Sequence, residues 1–169
     1  MIHKYKKIKF NQQKKYTKYY LLEIVILISL FIGLYPILSI KSADMSAIKA
    51  NLEENLKLDS INIGDEKTLK NLYYINIGSI EDFISYAPKS NMDVEEILIL
   101  KLKHGANMDE IKTKVSTRVE KQSESFKNYN PEKYGIIENA ILEEEGQYLI
   151  FIISENSSSI YKLIKDNFK

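Results

Sequence analysis

Seventeen consecutive residues without a charge, Ile24 to Ile40 (IVILISLFIGLYPILSI), set the first constraint on this chain. Carried back through Leu21 and Leu22, the apolar stretch reaches about twenty residues, enough at 1.5 Å per residue to cross a hydrocarbon core of about 30 Å. The one charge in that extension, Glu23, falls in the first turn, within reach of the headgroups. Tyr19 and Tyr20 stand where an interfacial aromatic belt belongs, and Lys18 can snorkel beside them. Pro36 would kink a soluble helix but is tolerated in a membrane span. A buried core helix would carry polar residues along one face, and this segment has no such face. It reads as a transmembrane helix over residues 21–40, with the lipid bilayer as its partner.

The lysines orient it. Lys4, Lys6, Lys7, Lys9, Lys14, Lys15 and Lys18 precede the span without a single acid, whereas the residues just after it mix Lys41 and Lys49 with Asp44, Glu53 and Glu54. The positive-inside rule then places residues 1–20 in the cytoplasm as a basic tail and residues 41–169 outside. A cleaved signal peptide shares the order of basic then apolar region. Its cleavage site wants small residues, and Ser39-Ile-Lys-Ser-Ala43 puts Lys41 at the outer position, so an uncleaved signal anchor fits better. The start Tyr-Tyr-Leu-Leu-Glu23 resembles that of type IV pilins, but Lys18 occupies the position where pilin processing needs glycine. The tail also interleaves lysine and tyrosine as nucleic-acid binders do; a topology signal on the inner leaflet explains it more simply.

The formal net charge of +1 is a sum over two unlike parts. Residues 1–40 carry seven lysines and Glu23, a charge of +6; residues 41–169 carry 17 basic and 22 acidic residues, a charge of −5. An acidic domain is a poor ligand for nucleic acid. The absence of cysteine excludes disulfide scaffolds, zinc–cysteine sites, iron–sulfur clusters and a lipidated N-terminal cysteine. Two histidines, His3 and His104, are too few for a histidine-rich metal site. Lysine supplies every basic residue except Arg118, which together with abundant Ile and Asn suggests an AT-rich bacterial genome.

Residues 41–169 are enough to bury a core without staples. Asp44 or Ser46 caps a helix reaching Leu58, and Asp65 caps a short one carrying Leu69 and Leu72. Ile80–Tyr86 is rich in strand formers and stops at Pro88. Ile97–Leu102 is a strand with faces Ile97/Ile99 and Leu98/Leu100/Leu102. Asn107 and Glu110 have capping-box spacing before a helix whose stripe is Ile111, Val115, Val119 and Phe126. Pro131 opens a turn, and Ile136–Glu143 and Gln147–Ile153 flank Glu145-Gly146 as a hairpin. The run YLIFII is apolar on both faces and belongs in the sheet's centre. A last helix starts near Ser157 with Ile160, Leu163, Ile164 and Phe168. The expected fold is α+β: a small antiparallel sheet of about three to four strands packed with helices, behind a short stalk at residues 40–45.

This order of pieces resembles a bacterial family called domain of unknown function 4358. The stretches that carry it are Asn-Leu-Tyr73, Ser85-Tyr-Ala-Pro88, Glu95-Glu-Ile-Leu-Ile-Leu100, Arg118-Val-Glu-Lys-Gln122 with Phe126, Tyr129-Asn-Pro131-Glu132, and Gly146-Gln-Tyr148-Leu-Ile-Phe151. The resemblance covers most of residues 45–168 and implies a secreted or membrane-tethered domain. Family members are often held by a lipidated cysteine; here the apolar helix takes that place. No catalytic residues come with the family.

The residues themselves offer little chemistry. His104 beside Gly105 reads as a solvent-facing turn histidine. Ser46/Lys49 and Ser159/Lys162 have the spacing of serine–lysine acyl enzymes but lack the partner motifs. The clusters Asp93/Glu95/Glu96 and Glu143/Glu144/Glu145 lack the alternating ligands and glycine turn of a calcium site, and both read as solvated strand ends. No cofactor is implied. Tyr86, Pro88, Tyr129, Pro131 and Tyr134 are candidate partner contacts, because tyrosine and proline in a turn can anchor an interface. The reading that results is a non-catalytic binding or interaction module of the cell envelope, its partner an envelope protein or a wall component. A small hydrolase using Ser/Lys or carboxylates and a pilin-like subunit are the alternatives.

Overall fold

The computed structural model describes the backbone of residues 2–38, 42–56 and 61–168, and the side chains of 16–34, 42–56 and 61–168. The chain divides into two units, Met1–Ile40 and Lys41–Lys169. The first is one helix, α1 (Ile2–Leu38). Within it Tyr16–Leu34, 19 residues, is long and apolar enough to cross a membrane, and none of that window is buried. Ser29 Oγ donates to the carbonyl of Val25 at 2.8 Å, so the hydroxyl is satisfied inside the helix. The side chains of Lys4, Lys6, Lys7, Lys9, Lys14 and Lys15 lie outside the described residues, as do residues 40 and 41 of the expected stalk and Leu58.

The second unit is α+β, with helices on both faces of one antiparallel sheet. Its elements are α2 (Met45–Asn55), β1 (Ile61–Ile63), α3 (Glu66–Tyr73), β2 (Ile80–Pro88), β3 (Glu96–Leu102), α4 (Met108–Lys127), α5 (Pro131–Glu138), β4 (Ile141–Glu145), β5 (Tyr148–Ile153) and α6 (Ser157–Lys165). The strand order is β1-β2-β3-β5-β4. The pleat sorts the core in two, because alternate side chains leave opposite faces. On one side Leu98, Leu100, Leu102, Leu149, Phe151 and Ile153 pack with residues of α3, α4 and α5. On the other Ile97, Ile99, Tyr148, Ile150 and Ile152 pack with Met45, Ile48 and Leu52 of α2 and Ile160 and Ile164 of α6. β3 and β5 are apolar on both faces because both faces are covered. They pair directly, Leu98 opposite Phe151 and Ile99 opposite Ile150. β5 is interior as expected, and the middle position belongs to β3.

Among the described residues the sheet has five strands, one more than the upper expectation. The additional strand, β1, is three residues long with Asn62 and Ile63 exposed, too short for a periodic pattern. It pairs with β2 from Ile61 opposite Pro88 to Ile63 opposite Tyr86. Gly64 permits this, since a Cβ there would fall 2.3 Å from Ser85 Oγ. The expected strand Ile136–Glu143 is also corrected: α5 runs to Glu138 and β4 begins only at Ile141. Asn130 Oδ1 accepts from the Lys133 amide at 3.0 Å and Pro131 fills the first helical turn, so a capped start outweighs the β-branched pair Ile136-Ile137. The expected hairpin joins β4 and β5 with its turn one residue on: Glu145 pairs with Tyr148, and Gly146, at φ 63°, and Gln147 form the two-residue loop. Asn107 Oδ1 accepts from the Glu110 amide at 3.1 Å and starts α4 where expected.

Candidate functional site

The chain's single arginine meets its most deeply buried carboxylate. Glu96, the first residue of β3, is 0 % exposed. It extends the Leu98/Leu100/Leu102 face one step and therefore points at α3 and α4. Tyr73, in the last turn of α3, donates its hydroxyl to Glu96 Oε1. Arg118 and Gln122, one turn apart on α4, reach the other oxygen: Arg118 Nη2 at 3.2 Å and Gln122 Nε2 at 3.1 Å from Oε2. A carboxylate without water survives only when paired and hydrogen-bonded, and here both its oxygens are used. Arginine suits the task better than the lysine this chain otherwise uses, because a planar, weakly hydrated guanidinium loses less on burial. The network ties β3 to two helices at one end of the sheet.

Arg118 and Gln122 also border a cleft of about 270 Å³ between the 88–93 loop and α4, whose other walls include Lys89, Asn91, Lys121 and Ser125. Arg118 Nε and Gln122 Oε1 are buried and have no hydrogen-bond partner among the described residues. Beside the cleft, Lys121 Nζ stands 5.1 Å from the centroid of the Tyr74 ring. Tyr74 ends α3 in the left-handed region at φ 56°, the one non-glycine residue with positive φ among the described residues, and is 67 % exposed. Glycine is the usual occupant of that position, and a side chain there costs about 1 kcal/mol.

The family model Domain of unknown function (DUF4358) matches residues 54–154, more than half of the chain. The chain belongs to that family. Tyr73, Glu96, Arg118 and Gln122 all lie within the matched span of the DUF4358 domain. No curated protein and no solved structure matches the chain.

The contact candidates in the DUF4358 domain divide between its two faces. Tyr86 is 1 % exposed, its ring in the α2/α6 core and its hydroxyl donating to Glu53 Oε1 at 3.4 Å. Pro88, on the same strand, borders the cleft. Tyr129 is 63 % exposed, packs edge-on against the cleft residue Phe126, and donates to Met92 Sδ at 3.7 Å. Pro131 is exposed, and Tyr134 is half-buried against the α3–α5 core. Lys133 holds the neighbouring loop through the Met92 carbonyl and through Asp93 at 3.7 Å. The structure thus brings Pro88 and Tyr129 to the cleft's end of the domain and turns Tyr86 away from it.

Other sequence candidates fall elsewhere. His104 is exposed in its turn, and Ser46, Lys49, Ser159 and Lys162 are exposed on α2 and α6. Among the described residues no group of three or more His, Asp or Glu side chains is placed to hold a metal. The acidic clusters are corrected at one residue each. Glu96 is buried as above; Glu145 is nearly so, accepting from Tyr161 at 3.2 Å and from Lys165. The Glu96 network had a legible signal. Glu96 shares parity with the apolar face of its strand, and Arg118 and Gln122 stand seven and eleven residues after Ile111, inside the buried stripe of α4.

The network predicts an alkaline transition. Burial first and then the Glu96 charge raise the Tyr73 phenol well above its ordinary value of 10.0. Burial and Glu53 push Tyr86 up to about 12. Each phenol holds its proton more tightly folded than unfolded, so their contribution to stability is intact below pH 10 and shrinks as pH rises past it. In an absorbance titration Tyr73 and Tyr86 should ionise last, and Tyr73→Phe should remove one late chromophore. Loss of an early one instead would contradict the assignment.

Proposed function

We propose that this is a single-pass membrane protein of the bacterial envelope that holds its DUF4358 domain outside the cell as a non-catalytic binding module, with residues 1–20 in the cytoplasm. The observation that carries the anchoring is α1. From Leu21 to Ile32 its large apolar side chains are all more than half exposed, a continuous apolar surface that water does not tolerate and lipid does. The seven lysines before it support the orientation. Binding is supported by the cleft over Arg118, with Pro88 and Tyr129 at the same end of the domain. The −5 charge of residues 41–169 speaks against nucleic acid and for an envelope protein or wall component as partner.

The absence of native cysteine makes the topology directly testable. In cells expressing Lys162→Cys, a membrane-impermeant maleimide should label the protein without permeabilisation; Lys9→Cys should react only after it. The reverse pattern, or recovery of the chain in the soluble fraction, would overturn the anchoring. Retention of an N-terminal tag on the mature protein tests the uncleaved anchor.

A further inference from the structure

β4 ends the sheet, and among the described residues its edge is the longer of the two, five residues against three in β1. The tight turn fixes which backbone groups that edge presents. Glu145 and Tyr148 flank the two-residue loop as a hydrogen-bonded pair, and bonded and non-bonded pairs then alternate along the hairpin. Ile141 and Glu143 therefore bond to β5, while Leu142 and Glu144 turn their N–H and C=O groups outward. None of these four groups has a hydrogen-bond partner among the described residues.

Beside the edge lies an open groove of about 420 Å³, on the opposite flank of α4 from the Arg118 cleft. Its apolar wall is Val119, Ala140 and Leu142, which the core covers only in part. Glu120, Glu124 and Glu138 stand around it, and Glu143 is exposed on the strand itself. Glu144 is taken by Lys112 at 2.7 Å; the other four acids have no ion pair among the described residues.

We infer that the β4 edge takes up an extended protein segment rich in lysine or arginine, which joins the sheet as a sixth strand. This goes beyond the role assigned to the cleft and concerns a separate surface. The partner's backbone meets the outward groups of Leu142 and Glu144, an apolar side chain enters the groove, and its cations answer the unpaired acids. Charge selects this occupant over a second copy of the domain, whose own β4 would set glutamates against Glu143 and Glu144. The lysines of residues 4–18 lie, in the topology proposed above, across the bilayer from this edge.

The test uses the full chain in lipid nanodiscs at about 0.15 M salt, where charge effects are screened beyond about 8 Å. The probe is the heptapeptide Lys-Val-Lys-Val-Lys-Val-Lys, blocked at both ends. Peptides with glutamate in place of lysine, or serine in place of valine, should bind at least about tenfold more weakly, a difference of about 1.4 kcal/mol. Glu120→Lys/Glu124→Lys should weaken the probe to a similar degree. Glu54→Lys/Glu66→Lys, the same charge change on α2 and α3, should leave binding unaltered. Hydrogen exchange resolved by NMR locates the contact: the Leu142 and Glu144 amides should exchange freely alone and become protected with the probe. Binding that leaves both amides unprotected, equal binding of either control peptide, equal loss with Glu54→Lys/Glu66→Lys, or no binding would each overturn the inference. Protection without the probe that grows with protein concentration would assign the edge to a second copy, and would overturn it too. None of these outcomes alters the maleimide labelling, and a reversed labelling pattern would leave the peptide result standing.

Discussion

Arg118→Met is expected to lower the unfolding free energy of the domain by about 3–5 kcal/mol. The substitution leaves Glu96, 0 % exposed, with Tyr73 and Gln122 as hydrogen-bond donors and no cation. Neither neutral donor replaces the Coulomb partner, so the carboxylate must take up a proton or drag water inward. Arg118 is itself 21 % exposed on its side chain, which places the effect toward the lower end of that range. The double variant Arg118→Met/Glu96→Leu should recover most of the loss, because removing both charges also removes the cost of burying them. Urea unfolding followed by the near-ultraviolet tyrosine signal reads both. A single-variant loss under about 1 kcal/mol, the size of a surface pair, would show that water already screens the site. A double variant as unstable as the single one would show that the loss came from packing.

Leu27→Lys combined with Phe31→Lys is expected to release the chain from the membrane fraction. Both positions lie in the central part of residues 21–40, where a lysine costs about 2.5–3.5 kcal/mol for insertion. The two side chains are exposed in the folded chain, so neither change takes anything from the core of residues 41–169. Urea unfolding of the domain should accordingly stay unchanged while carbonate extraction moves the protein from pellet to supernatant. Retention in the pellet would mean that residues 21–40 are not what holds the chain there.

The two parts of this protein differed in how openly they could be read. That α1 is long and apolar enough to cross a membrane is a matter of length and composition, and both are written in the chain. The same holds for β3 and β5, whose apolar residues on both faces imply cover on both sides, and for helix starts such as Asn107, where the cap is three residues from its target. Local rules miscarried where two of them competed. Ile136 and Ile137 favour a strand, but the Asn130-Pro131 start lies close enough to impose a helix. β1 had no rule at all, since three residues pair only because β2 presents an edge to them.

Sequence by itself determined the division of the chain, the opposite charges of its halves, the interior strands and the family resemblance. All of these follow from neighbours along the chain or from totals over it. Only the tertiary structure decided that Glu96 is buried while Glu143 and Glu144 in the other cluster are exposed, that Tyr86 faces the core while Tyr129 faces solvent, and that the lone arginine has a carboxylate to hold. Tyr73, Glu96 and Arg118 are more than twenty residues apart from one another in the chain. What brings them together is the packing of α3 and α4 on one face of the sheet, and burial and pairing belong to that packing rather than to any residue alone.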